Sequence, residues 1–507
     1  MKSYLKRKWE YLILVIFSII VSSFSPLNPL IEKGITTDQA VFLTIARGIL
    51  NGKLAYVDYF DHKGVLLYLL LALGQKLGKE LVGNFLIEII MIFLSCVFLY
   101  KIGRLFADKW ISLIAVMTLF IVDMKMYTTS NSEEYIFPLL CISVYLMMLG
   151  LKTTVKKTYA FWIGFCGILV FFIKYNYCLI WAAIGIFLFL HMLFNGEKWK
   201  NVFLMTLSFI GGMLLAASPL VLYLVVTGSF GAFMDSYVLY SMRYAGYTGL
   251  QDRINSMLFL MDIPLKFVFL AAMLVIVILG VLYMVSKKWR DKVAGTPVFC
   301  KEYIYWVLLS IVIIMATVSP GQSWIYYRQA LMIVFLLPII LFGLWLKELL
   351  KRQNRKKQIA GQVVYLILLL FILRSSLTAS NFCNEKDERY ESAKEVVSII
   401  RQECDADDTI ISYANDCSMY YYSEVNPASR IFFPGASVVD DAFVDELMKD
   451  LERNKPKIAT FTLDWKNGMT DHMISVTEQY IEENYEMIYE DEFRQVYLRK
   501  GNGEDKV

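Results

Sequence analysis

The chain has 507 residues, of which 57% are hydrophobic and only 19% are charged, and its formal net charge is +4. Its mean hydropathy is +0.51, and many apolar runs reach the roughly 20 residues that span a bilayer. A soluble protein of this length would carry more charge and fewer runs of Phe, Leu and Ile. The composition therefore excludes a soluble globular protein and indicates a polytopic membrane protein.

The first apolar run follows four basic residues in the first eight positions and could pass for a signal peptide. It continues to about Leu30 without a small-residue cleavage site, so we expect a retained first helix. A polar loop, Glu32–Gly64, comes next and contains Asp38 and the cluster Asp58–Gly64. A helix-like segment, Ala40–Leu50, joins them. A loop so rich in carboxylates and bracketed by apolar segments is typical of a reaction site rather than of a connector.

The short apolar segment Val65–Leu73 is predicted to lie at the membrane interface. Crossing helices are then predicted at roughly 84–101, 111–128, 134–151, 159–173, 178–194, 201–226, 264–285, 303–319, 329–346 and 360–378. With the first helix, these segments make about 11 transmembrane helices.

Lys and Arg concentrate at the N-terminus and in alternate loops, around positions 101–109, 152–157, 198–200, 287–292 and 351–357. The positive-inside rule places these loops, and the N-terminus, in the cytoplasm. The loops at 32–64, 128–134, 174–177, 228–262 and 319–328 then face out. An odd number of spans puts the C-terminal tail outside as well.

The tail, residues 379–507, carries 28 Asp and Glu against 14 Lys and Arg, a net charge of −14, so the rest of the chain carries +18. Predicted helices alternate there with strands at Thr409–Ala414, Ser429–Phe433, Ile458–Leu463, Met487–Glu490 and Arg494–Leu498. This alternation indicates a small extracytoplasmic α/β domain. We therefore expect two domains, a transmembrane domain at 1–378 with a catalytic loop at 31–64, and the α/β domain at 379–507.

The outward loops collect carboxylates, cations and tyrosines. A carboxylate can take the proton of an attacking hydroxyl, a Lys or Arg can stabilise a departing phosphate, and tyrosines offer ring faces and hydroxyls to a sugar. No Cys or His spacing resembles a metal site, so no cofactor is predicted, and the need for a divalent metal is open. The candidate site residues are Asp38, Asp58, Asp61, Lys63, Glu133, Glu134, Lys174, Tyr327 and Arg328.

The first outer loop reads Asp38-Gln-Ala-Val-Phe-Leu-Thr-Ile-Ala-Arg47-Gly48 and then Asp58-Tyr-Phe60-Asp61-His62-Lys63-Gly64. It resembles the protein mannosyltransferase and aminoarabinose transferase group of the glycosyltransferase-C superfamily, and weaker similarity continues through residues 129–134, 172–176 and 326–328. The resemblance implies a polytopic enzyme that uses a polyprenyl-phosphate sugar. It implies Asp38 as general base, Glu133 or Glu134 as a second acid, and Lys174 and Arg328 at the lipid phosphate. Gln39 departs from the acidic residue of many relatives, and Gly64-Val65 departs from their Pro-Pro.

Each candidate also has a structural alternative. Asp38 could cap the following helix, although Thr36 or Thr37 could do so equally. Asp61 and His62 could serve the loop turn. The remaining alternatives are helix-dipole pairing for Glu133 and Glu134, and snorkelling to lipid headgroups for Lys174 and Arg328.

The sequence thus predicts a multi-pass cell-membrane glycosyltransferase that moves a sugar from a polyprenyl-phosphate donor to an extracytoplasmic acceptor hydroxyl. Its expected partners are that donor, membrane lipids and a cell-envelope acceptor, and nucleic acid is not among them. The alternative is a transporter or flippase, but such proteins place charges and broken helices near mid-membrane, whereas here the charges gather in the outer loops. Neither the sugar nor the acceptor is specified.

Overall fold

The computed structural model describes residues 9–30, 34–79, 81–122, 131–246, 249–260, 301–351, 388–413, 416–434, 441–467 and 469–501. The predicted spans 264–285 and 360–378 lie outside the described residues, as does the predicted domain boundary at 378/379, which stays a prediction. The chain divides into two compact units. The first comprises Met1–Asn28, Phe85–Tyr223 and Met242–Cys383, and the second comprises Pro29–Asn84, Leu224–Ser241 and Asn384–Val507.

Helices dominate the described residues between 9 and 351. They are α1 Trp9–Ser22, α2 Thr37–Leu50, α3 Val65–Leu77, α4 Val82–Phe106, α5 Lys109–Val122, α6 Ser132–Lys152, α7 Lys157–Phe171, α8 Cys178–Phe194, α9 Trp199–Val226, α10 Phe230–Phe233, a π-helical turn Met234–Leu239, α11 Tyr240–Gly246, α12 Leu250–Leu260, α13 Lys301–Val318 and α14 Arg328–Lys351.

Five helices of the described part are long and apolar enough to cross a membrane: Val82–Phe106, Ser132–Lys152, Tyr175–Phe194, Trp199–Val226 and Ile325–Leu344. Five more are apolar but shorter, namely Trp9–Ser22, Val65–Leu77, Lys109–Ile121, Lys157–Phe171 and Glu302–Val318. Every span predicted within the described residues coincides with one of these helices. The polytopic helical class is confirmed, and the protein is a membrane protein.

Two glycines bring α7 and α9 into backbone contact within the first unit. A Cβ added at Gly164 would lie 2.1 Å from the Phe209 carbonyl oxygen, and one at Gly212 would lie 1.9 Å from the Phe161 carbonyl oxygen. Lipid chains are as apolar as Leu side chains, so helices in a membrane associate through such close packing. The two glycines are therefore packing residues, each required by the opposite helix.

The tail contains α15 Glu388–Glu403, β1 Thr409–Ser412, α16 Ser418–Ser423, β2 Asn426–Pro427, α17 Asp441–Asn454, β3 Ile458–Thr462, α18 Asp471–Asn484, β4 Tyr485–Glu490 and β5 Arg494–Arg499. The sheet order is β2-β1-β3-β5-β4. Strand β1 runs parallel to β2 and β3, and β5 runs antiparallel to β3 and β4. The predicted α/β character of the tail is confirmed.

One predicted strand, Ser429–Phe433, is wrong. The short strand β2 precedes it, and the residues of the predicted strand form an irregular segment. Phe432 is fully buried, and its carbonyl oxygen accepts a hydrogen bond from the Tyr420 hydroxyl at 2.7 Å. Side chains and a neighbouring loop supply hydrogen-bond partners for this backbone. The apolar segment can therefore be buried without pairing with a strand.

Candidate functional site

The predicted site residues fall into both units. The second unit holds Asp38, Asp58, Asp61 and Lys63, and the first unit holds Glu133, Glu134, Lys174, Tyr327 and Arg328.

Helix α2 begins with a complete capping box. Thr36 is the N-cap residue, and its side-chain oxygen accepts from the Gln39 backbone N at 3.4 Å, while Gln39 Oε1 accepts from the Thr36 backbone N at 2.9 Å. Gln39, the departure from the pattern of relatives, thus has a structural role. Asp38 lies in the first turn and is half-buried. The alternative of Asp38 as the N-cap is therefore excluded.

Asp61 is only 2% exposed and both of its carboxylate oxygens accept hydrogen bonds. The Tyr68 hydroxyl donates to Oδ2 at 2.6 Å, and the His62 backbone N donates to Oδ1 at 2.7 Å. Burial raises the pKa of Asp61, the nearby Lys63 charge lowers it, and the Asp38 charge raises it further. Burial is thus the largest influence on the pKa of Asp61, and the Asp38 charge is the smallest.

Lys63 is 8% exposed and its Nζ lies 2.8 Å from His62 Nε2. A charged Lys63 can only donate, so His62 accepts at Nε2 and carries its proton on Nδ1, which lies 3.4 Å from Asp61 Oδ1. Lys63 also lies 5.9 Å from the centre of the Phe42 ring. The loop thus holds a continuous chain of side chains in which Asp61 and Lys63 are buried and His62, between them, is 23% exposed.

The preceding turn is held by Asp58 and by Arg430 of the tail. Asp58 Oδ2 accepts from the Leu54 backbone N at 2.7 Å. Arg430 Nη1 donates to the Tyr56 carbonyl at 3.2 Å, and the Phe60 backbone N donates to the Arg430 carbonyl at 2.9 Å. Tyr56 has φ of 69°, which costs a non-glycine residue about 1 kcal/mol or more. The surrounding contacts offset this backbone strain.

Helix α2 is also tied to the tail. Arg47 Nη1 donates to the Tyr420 carbonyl at 2.7 Å, and Nη2 donates to the Val425 carbonyl at 3.3 Å. The Tyr422 hydroxyl accepts from the Ile35 backbone N at 3.1 Å. The tail therefore shapes the loop that carries Asp38.

In the first unit, Glu133 and Lys174 form a buried ion pair of 2.6 Å, with side chains 1% and 10% exposed. Glu133 also accepts from the Tyr177 hydroxyl at 3.3 Å and from the Ser132 hydroxyl at 2.9 Å. Glu134, its neighbour in the first turn of α6, is 3% exposed. Neither glutamate is a solvated helix-end acid.

Lys174 Nζ lies 4.1 Å from the centre of the Tyr327 ring, so this cation also contacts an aromatic face. Arg328 is 9% exposed, and its Nη2 donates to the Phe259 carbonyl at 3.1 Å. Both cations point into protein rather than towards solvent. Snorkelling therefore does not describe either of them in this structure.

Sequence reasoning missed Glu88, Arg47 and Arg430. Glu88 lies in the apolar helix α4, is 1% exposed, and accepts from the Ser25 hydroxyl at 2.7 Å. A single acid inside an apolar run is a signal that could have identified it, because such residues are costly in a membrane. The two arginines gave no such signal, since each one links the first loop and the tail through distant backbone carbonyls, which no sequence pattern marks. Among the described residues, no group of three or more His, Cys, Asp or Glu side chains could hold a metal ion.

Several solved structures share this fold over nearly the whole chain. The crystal structure of ArnT from Cupriavidus metallidurans bound to undecaprenyl phosphate matches with a TM-score of 0.59 and 12% identity, covering 97% of this chain and 98% of that one. Its apo state matches with a TM-score of 0.54. The apo oligosaccharyltransferase from Archaeoglobus fulgidus matches with a TM-score of 0.54 and 13% identity, covering 98% of this chain and 75% of that one.

The chain therefore shares the fold of ArnT and of the oligosaccharyltransferase, the kind of fold that the first-loop resemblance implied. No curated protein sequence matches the chain. Residues 2–378 match the family described as "Putative competence-induced protein Ccs4 N-terminal domain". The chain belongs to this family.

Proposed function

We propose that the protein is an integral-membrane glycosyltransferase that moves a sugar from a polyprenyl-phosphate donor to an acceptor hydroxyl. The observation that carries the proposal is the first loop, which holds a half-buried Asp38 in the first turn of α2 and a buried, hydrogen-bonded Asp61 in the same compact unit. The shared fold supports it, and so does the undecaprenyl phosphate named in the ArnT structure.

In this proposal Asp38 is the general base. It is more exposed than Asp61, and both carboxylate oxygens of Asp61 already accept hydrogen bonds. Asp38 is therefore better placed to take the proton of an acceptor hydroxyl. Asp61 has a supporting role, because its hydrogen bonds to Tyr68 and His62 hold the same loop. Asp58 and Lys63 fix the loop and contribute to substrate binding.

The donor phosphate is assigned to Lys174, Arg328 and Tyr327. Lys174 is already paired with Glu133, so a phosphate would have to share Lys174 with Glu133 or displace Glu133. In this proposal Glu133 is the second acid, and it controls whether Lys174 is available to the phosphate. A cation that is released when the phosphate binds can stabilise the charge that develops on the leaving group.

Orientation and location belong to the same proposal. With the basic loops in the cytoplasm of a cell membrane, the loop at 31–64 and the tail domain at 379–507 face outward. The acceptor would then belong to the cell envelope, and the tail domain would contribute to its binding.

The test uses purified protein in lipid nanodiscs with a panel of synthetic polyprenyl-phosphate sugars. Mass spectrometry should detect released polyprenyl phosphate from one donor, together with a glycosylated acceptor. Lipid-linked sugars should also accumulate in cells that lack the gene. A protein that carries lipid-linked sugars across liposomes without releasing polyprenyl phosphate would be a flippase, and the proposal would be wrong.

A further inference from the structure

The tail contains a cavity of about 390 Å³, and no residue of the first loop lines it. Its walls come from β3, β5, α18, the start of β4 and the turn that follows β3. Its volume falls within the range of small-molecule sites in proteins. The cavity lies within the second unit, so its shape belongs to the tail domain itself.

Aromatic rings form one part of the wall: Phe461, Trp465, Tyr485 and Tyr497. The ring centres of Phe461 and Trp465 are 5.0 Å apart, and those of Phe461 and Tyr497 are 5.5 Å apart, both edge to face. Rings that are packed against one another in this way are rigid. Phe461, Trp465 and Tyr485 are 3%, 9% and 3% exposed, so each presents a small, fixed patch of ring surface to the cavity.

Polar groups form the rest of the wall. Tyr497 donates its hydroxyl to Gln495 Oε1 at 3.2 Å, and Gln495 Nε2 donates to Glu490 at 2.6 Å, so the amide is held in one orientation. Lys466 and Glu478 form an ion pair. Glu482 adds a second carboxylate, which leaves the wall without net positive charge.

This combination selects a ligand class. A phosphate or other anion would meet a wall with two carboxylates and one lysine that is already paired. A pyranose ring presents C–H groups on its faces, which pack on aromatic rings, and hydroxyls at its edge, which hydrogen-bond to carboxylates and amides. The cavity suits such a ring better than an anion.

We propose that this cavity, the tail sugar site, binds one or two neutral pyranose units of the glycan acceptor. The assignment of the ligand to the acceptor rests on the proposed glycosyltransferase function. Binding at the tail sugar site is a separate property of the same chain and is measured without any transfer reaction.

Binding is tested on the full-length protein in phospholipid nanodiscs, because glucoside and maltoside detergents carry sugar headgroups that would compete. Saturation-transfer-difference NMR is recorded with glucose, galactose, N-acetylglucosamine and their β-1,4-linked disaccharides. We expect at least one of these sugars to bind with millimolar affinity.

Glu482→Gln removes one carboxylate of the tail sugar site and should weaken binding about tenfold, the loss typical of a hydrogen bond to a charged group. Glu483→Gln is the matched control, since it makes the same change at the next residue of α18, outside the cavity. Trp465→Ala should abolish binding. Trp465 is only 9% exposed, so its removal could also destabilise the fold. The thermal unfolding of Trp465→Ala is therefore compared with that of Trp465→Phe, which keeps a ring and should keep weak binding.

If no sugar binds the wild type, or if Glu482→Gln and Glu483→Gln bind equally, the tail sugar site does not exist. Competition by inorganic phosphate would overturn the assignment of a neutral ligand. Sugar binding by a protein that transfers no sugar would contradict the proposed function and leave the site standing. In an active transferase, Glu482→Gln should raise the KM for acceptor and leave kcat unchanged.

Discussion

Asp38 and Asp61 have the same side chain in different surroundings, and this difference separates their roles. Asp38 is half-buried in the first turn of α2, whereas Asp61 is buried and hydrogen-bonded to Tyr68 and His62. An accessible carboxylate can reach a substrate hydroxyl in this conformation, whereas a buried one would first have to be uncovered.

Asp38→Asn keeps the size of the side chain and removes the base. Turnover should fall about a hundred- to ten-thousand-fold, the usual contribution of a general base, while donor binding persists. Steady-state transfer from a polyprenyl-phosphate sugar measures this effect. Asp445→Asn, the same change at an exposed residue of α17, is the control. Near-normal turnover of a folded Asp38→Asn variant would move the base to Asp61, Glu133 or Glu134.

The raised pKa of Asp61 predicts a pH dependence of stability. A carboxyl group that is harder to ionise in the folded state than in the unfolded state binds more protons when folded, so its ionisation lowers stability. The stability of wild type relative to Asp61→Asn should therefore fall as pH rises from about 4 through the raised pKa, and then level off. Thermal unfolding in nanodiscs across this range checks the sign. A difference that grows with pH would contradict the buried environment of Asp61.

Glu133 and Lys174 should be strongly coupled. Removing one partner of a buried ion pair leaves an uncompensated charge and costs about 3–5 kcal/mol. Glu133→Gln and Lys174→Met should each be destabilised by this amount, and the double variant should be destabilised by less than the sum. The free energies of unfolding of the wild type, the two single variants and the double variant form a double-mutant cycle. Additive effects would mean that the pair does not interact.

At the scale of elements, the loop after α2 depends on one tail residue. Arg430 forms two hydrogen bonds to Glu446, at 2.7 and 2.8 Å, and a third to the Tyr56 carbonyl. Because Tyr56 is held in an unfavourable backbone conformation, the loop should relax when this contact is lost.

Arg430→Ala should lower the hydrogen-exchange protection of the Phe60 amide by about tenfold, since one or two hydrogen bonds of this kind contribute about 1–2 kcal/mol. Turnover should fall with it. Arg453→Ala is the control, because the Arg453 side chain is 75% exposed. Unchanged exchange at residues 56–60 would show that the loop holds its shape without the tail.

The sequence predicted most elements because their periodicity is local. Long apolar runs identified the helices, and alternation identified β1, β3, β4 and β5. The prediction of a strand at Ser429–Phe433 was wrong because its apolar residues are buried by aromatic neighbours rather than by pairing with another strand. The site residues were found by type, but their pairing was not, since Glu133 and Lys174 are 41 positions apart and Arg47 contacts a carbonyl 373 positions away.

At the scale of the whole molecule, the orientation in the membrane stays a prediction. A chain whose Cys383 and Cys404 are replaced by Ser provides the background for labelling intact cells with an impermeant thiol reagent. Ser475→Cys lies at an exposed position of α18 and should react, whereas Thr154→Cys, exposed in the loop after α6, should react only after lysis. The opposite pattern would place the first loop in the cytoplasm.

The contact between Arg47 and Tyr420 also has a consequence for biosynthesis. The partners are 373 residues apart, and at about 5–20 residues per second the ribosome needs roughly 20–75 s to make the chain between them. Helix α2 and its loop are therefore synthesised well before the tail residues that they contact, and the intervening helices are made in the meantime. A nascent chain that is stopped before the tail would contain every first-loop residue and still lack the first-loop conformation.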